Sequence, residues 1–140
     1  MRLRAAVLAS LAIAGLWSPG AVAAPGDKQF VGIENHDPRS FQRALRAGSD
    51  FVRGGRGRQF QIILSGRGAI LVIPGTSTVQ RDMQTLRAPG LKVVACRETM
   101  DALSRANRRR VPVIPGATVE KCEGLRNRLT VGGWQYAPGL

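Results

Sequence analysis

Four times between Lys28 and Val131, a short β-branched run gives way to a segment whose apolar residues recur at helical spacing. Lys28–Ile33 reads as a first strand. Asp37-Pro38 then supplies an N-cap and a proline at the first helical position. Phe41, Ala44, Leu45, Gly48 and Val52 make residues 38–53 an amphipathic helix. Phe60–Leu64 is a second strand, and Ser77 with Gln80 forms a capping box for a helix carrying Val79, Met83 and Leu86. Leu91–Ala95 is a third strand, followed by a helix with Met100, Leu103 and Ala106 that stops near Asn107. Val111–Ile114 is a brief strand at an edge or strand end, because Pro112 lacks a donor. A last helix after Pro115-Gly116 would align Val119, Cys122, Leu125 and Leu129. Ala69–Ile73 fits a small strand or an extended turn, and Trp134–Tyr136 a short extended tail. The alternation predicts one α/β domain with a mostly parallel sheet and helices on both faces.

The ends narrow the domain. Met1-Arg2-Leu3-Arg4 is a basic leader, Ala5–Trp17 a short apolar stretch, and Ala21-Val22-Ala23 a small-x-small cleavage site. Residues 1–23 therefore read as a signal peptide and 24–140 as the mature domain, exported to the bacterial periplasm. No later segment is apolar enough to cross a bilayer. The formal net charge of the whole chain is +12, which favours anionic partners. Arg53–Arg58 resembles an Arg-Gly tract, but it occurs once, between structured segments, and reads as a solvated loop. Nucleic acid is not an expected partner.

Most catalytic classes lack their residues here. There is one histidine, His36, in a turn, with no Cys-x-x-Cys, no His-x-x-x-His, no P-loop and no nucleophile elbow. The reading is of no metal and no cofactor. The chemistry left is that of two cysteines. Cys96 ends an apolar strand and abuts the polar helix start Arg97-Glu98-Thr99, where exposed amides favour an anion. Arg97 and Thr99 are candidate binding contacts beside the sulfur, and equally ordinary helix-start residues. Cys122 lies on the apolar stripe of the last helix, the setting of a buried thiol. Three states of the pair stay open: a functional Cys96, a Cys96–Cys122 disulfide in an oxidising compartment, or two inert thiols.

Val93-Val94-Ala95-Cys96-Arg97-Glu98-Thr99-Met100, then Val113–Ala117 and the terminal Gly133-Trp134-Gln135-Tyr136-Ala137-Pro138, resemble the DsrE/DsrF-like proteins, and within them the exported branch. The resemblance covers most of residues 24–140 and is strongest over 90–138. It implies a flavodoxin-like α/β fold, assembly into homo-oligomers, and sulfur relay in which Cys96 carries a persulfide between a small anionic sulfur species and an acceptor protein. The alternative function is a non-catalytic, disulfide-stapled oligomeric binding subunit.

Overall fold

The apolar runs at 28–33, 59–64 and 91–96 do pair, and they do so in parallel. The computed structural model describes residues 26–75 and 77–140; the expected signal segment lies outside them, as do the side chains of the Ser77 cap. Strands β1 (Lys28–Ile33), β2 (Gln59–Leu64), β3 (Leu91–Cys96), β4 (Ala117–Glu120) and β5 (Gln135–Tyr136) form one sheet in the order β4-β3-β2-β1-β5. Every pairing is parallel. The helices are α1 (Pro38–Arg53), α2 (Ser77–Thr85), α3 (Arg97–Ala106) and α4 (Leu125–Val131). The fold is α/β and a single domain, as the alternation predicts.

Period-two alternation sorts the strand residues between two unlike faces. Val31, Ile33, Phe60, Ile62, Leu64, Val93 and Ala95 share the main core with Phe41, Leu45 and Val52 of α1, Val79 and Met83 of α2, and Met100 of α3. The opposite face is thinner. There Phe30 buries against Leu125 and Leu129 of α4, with Ile63, Cys122 and Trp134 packed around them. The connections β1 to β4 march one way under α1, α2 and α3. The chain then returns beneath the sheet through α4 to place β5 beside β1, closing with a Phe30–Tyr136 ring contact at 4.4 Å.

Three local readings are corrected. Val111–Ile114 is not a strand; the Val111 N–H donates to Ser104 Oγ and the Ile114 N–H to the Val72 carbonyl, while Pro112 within it and Pro115 after it have no N–H to offer a ladder. The fourth strand is Ala117–Glu120, paired with Val93–Cys96. The last helix consequently starts at Leu125 rather than after Gly116, and Gly124 in the left-handed region (φ 67°) turns the chain into it. Cys122 is thus in the loop between β4 and α4. Residues Gly66–Val72 are neither strand nor extended turn but a 3-10 segment. Gly66 enters it at φ 52°, and Gly68 passes so close to the Ile33 carbonyl that a Cβ would overlap it.

Two substitutions check these placements. Gly68→Ala forces the 3-10 segment off β1 and is expected to cost ~2 kcal/mol or more in urea unfolding. Ser49 is fully buried in α1 with its hydroxyl unpartnered among the described residues. Ser49→Ala removes that orphan, so its stability should be unchanged or up to ~1 kcal/mol higher. A large loss there would show that the hydroxyl does have a partner.

Candidate functional site

Parallel pairing of β3 and β4 delivers both cysteines to the carboxyl edge of the sheet. Cys96 is in register with Glu120, so Cys122, two residues further on, emerges on the same face. The two sulfurs are bonded as a disulfide, with Cα atoms 5.2 Å apart, and neither described cysteine is free. Of the states open to the sequence, the structure holds the oxidised pair. Cys96 is 3% exposed, while Cys122 is half-buried. Cys96 occupies the N-cap position of α3 without a side-chain cap bond. Its sulfur is bonded to Cys122, and the residue is closed to solvent.

The loop bearing Cys122 is held from two sides. Both oxygens of Glu98 accept from the Cys122 N–H at 3.1 Å, and Oε1 also accepts from the Glu123 N–H at 3.1 Å. From the other side the Arg128 guanidinium donates to the carbonyls of Glu123 (2.7 Å) and Lys121 (3.2 Å). An acid anchors the loop's donors and a cation its acceptors, both through charge-assisted bonds. Glu98's own backbone N–H, then those of Cys122 and Glu123, hold its carboxyl below the ordinary glutamate range, with Lys121 adding a smaller attraction.

The other sequence candidates divide. Arg97 is exposed in the first turn of α3. Thr99 serves the fold instead, because its hydroxyl accepts from the Gly66 N–H at 3.1 Å and ties α3 to the 3-10 segment. His36 is exposed beyond β1. Glu98 and Arg128 are the residues that sequence reasoning passed over. An acid two residues after a strand-end cysteine was visible, but its partners lie 24 and 25 residues away.

The described cavities are elsewhere. One of about 760 Å³ opens at the amino end of β3, between Met83 of α2 and the Pro115-Gly116 turn. Another, about 170 Å³, lies at the carboxyl end of β1, lined by Ser40, Arg43 and Leu140 among others. The chain order reverses between β1 and β5, so that smaller crevice is where the switch-point rule would place a ligand. The sulfurs sit beyond β2, on the other side of the sheet. Cys96, Glu98 and Cys122 offer donor atoms within 4.8 Å of one another, although in the oxidised state the sulfurs bond each other.

No family model matches the chain, and no curated protein matches it. Among solved structures the chain is similar to a protein of unknown function from Methanobacterium thermoautotrophicum, at 16% identity and a TM-score of 0.62. The match covers 79% of this chain and 96% of that one. It shows a shared α/β fold.

The Glu98 clamp predicts an acid-side signature. A carboxyl held low in the folded chain contributes stability that is complete above its unfolded value near 4.5 and is lost as pH falls through the lower folded value. Wild type should therefore lose thermal stability below about pH 5 more steeply than Glu98→Gln, with the two Tm curves converging at lower pH. Parallel curves would show that Glu98 clamps nothing. Separately, opening the disulfide frees a loop spanning 26 residues and is expected to cost ~3 kcal/mol in the loop-closure treatment, measured by urea unfolding of a Cys96→Ala/Cys122→Ala double variant.

Proposed function

We propose that the protein handles sulfur through the Cys96–Cys122 pair, as the DsrE/DsrF-like resemblance suggests, and that the disulfide is one state of its cycle. The observation that carries this reading is the joining of both cysteines at the carboxyl edge of the sheet, one sulfur at the first turn of α3 and the other on a loop. In the reduced protein, Cys96 thiolate attacks the sulfane sulfur of thiosulfate or a polysulfide. The donor's S–S bond breaks, sulfite or a shortened polysulfide leaves with the electron pair, and a Cys96 persulfide forms. An acceptor thiol can take the outer sulfur. Without one, Cys122 thiolate attacks Cys96 Sγ, expels hydrosulfide and closes the disulfide. A dithiol reductant then returns two electrons and two protons to reset the pair.

The burial of Cys96 requires the loop at 121–124 to swing aside once the disulfide opens, and Glu98 and Arg128 are the contacts it must leave. Export to a periplasm-like compartment and self-association belong to the same proposal. Val131 at 89% exposure and Tyr136 at 52% are apolar surface consistent with assembly. A second reading, favoured by the 3% exposure of Cys96 and the two-sided loop anchor, is a non-catalytic subunit that the disulfide merely staples.

Intact mass decides between them. After reduction and exposure to polysulfide, Cys122→Ser should carry a ~32 Da adduct on Cys96, whereas wild type should return to the disulfide and release sulfide. No adduct and no sulfide from fully reduced, folded protein would defeat the sulfur reading and leave the staple.

A further inference from the structure

We propose that the reduced protein binds one zinc-class divalent cation through Cys96 Sγ, Cys122 Sγ and a Glu98 carboxylate oxygen. The three donor atoms already lie within 4.8 Å of one another. Two thiolates and one carboxylate are a donor set suited to zinc, and three protein ligands leave a fourth position open. Zinc–sulfur bonds of ~2.3 Å at a tetrahedral angle need sulfurs ~3.8 Å apart, so breaking the S–S bond is what makes room for the ion. Cys96 and Glu98 come from the β3–α3 junction and Cys122 from the loop beyond β4. The cation would bridge the same two segments that the disulfide bridges.

The surroundings support the carboxylate as a ligand. Three N–H contacts, two from Cys122 and one from Glu123, fix its orientation. Bonds of this kind around a ligand hold it in place for a metal. A dithiol supplies two electrons and two protons to open the S–S bond and is itself oxidised to a disulfide. On binding, the two thiols release their protons to solvent. A small-molecule disulfide accepts the two electrons, is reduced to two thiolates, and re-forms the Cys96–Cys122 bond with release of the ion, so occupancy follows the redox state. The inference rests on the pair being reducible and not on sulfur transfer.

The test uses full-length mature protein reduced with a phosphine, freed of reductant under nitrogen, and titrated with cobalt chloride and then zinc chloride. One cobalt per chain is expected, with a near-ultraviolet sulfur-to-cobalt charge-transfer band and the visible bands of four-coordination, all displaced by zinc. The disulfide form should bind none. Glu98→Gln should weaken zinc binding at least ~10-fold with its thiol titre unchanged. Absence of the cobalt bands when both thiols titrate as free would overturn the site, as would equal affinity in wild type and Glu98→Gln. Should Glu98→Gln prove unfolded by circular dichroism, Glu98→Asp replaces it, and unchanged affinity there counts equally against the site. Persulfide mass and sulfide release are read on metal-free protein, so this inference and the sulfur reading fail separately.

Discussion

The parallel pairing of β3 with β4 is the constraint on which the rest of this molecule turns. Because Cys96 opposes Glu120, the two-residue period of the strands carries Cys122 back to the face and edge of Cys96. A shift of one residue in that register would send Cys122 to the other face, where α3 packs, and no disulfide could close. The register is itself secured by the main core. Val93 and Ala95 point into it from β3, and Ala117 and Val119 pack against it from β4. The position of the disulfide is thus fixed by hydrocarbon packing on the opposite side of the sheet.

That packing is unequal. Three helices and the 3-10 segment cover one face, whereas α4, with seven residues, is the helix on the other. Cys122 packs against the Phe30, Leu125 and Leu129 cluster, so the disulfide lies beside the smaller core. A covalent link is most useful where apolar area is least, since closing a loop removes entropy from the unfolded chain independently of how much surface is buried. Opening the pair should therefore loosen the α4 side and leave the α1–α2–α3 side almost untouched. Local opening of this kind is what the loop at 121–124 needs if Cys96 is to meet anything larger than a proton.

Much of this is legible in the chain. α1 and α3 announce themselves by apolar spacing, and α1 also by its Asp37-Pro38 start. β1 and β2 are apolar runs that a polar loop or glycine cuts off, and β3 is one that the polar start of α3 ends. Pattern alone misplaces the fourth strand because Val111–Ile114 is the more β-like string, and only the missing donors of Pro112 and Pro115 argue against it. Ala117–Glu120 looks poor alone and pairs because β3 offers it a free edge. The spacing of Val119, Cys122, Leu125 and Leu129 imitates a helical stripe although it joins a strand, a loop and a helix. Period analysis assumes one element throughout, and Gly124 at positive φ is where that assumption breaks. Glu98 is hidden for another reason. Its role is made by backbone donors more than twenty residues away, and no local pattern encodes them.

Glu98 also sets two opposing influences on the sulfurs. The first turn of α3 presents amide dipoles that favour an anion at Cys96, whereas the carboxylate within 4.8 Å of both sulfurs disfavours one. Near such a carboxylate, two adjacent thiolates are unfavourable, and the pair gains by releasing that charge. Forming the disulfide does so by removing both ionisable sulfurs. A divalent cation would do so by offsetting two of the three charges. The acid at position 98 thus favours any state in which negative charge does not accumulate on both sulfurs. Its anchoring bonds to Cys122 and Glu123 keep that preference aimed at the one loop able to respond to it.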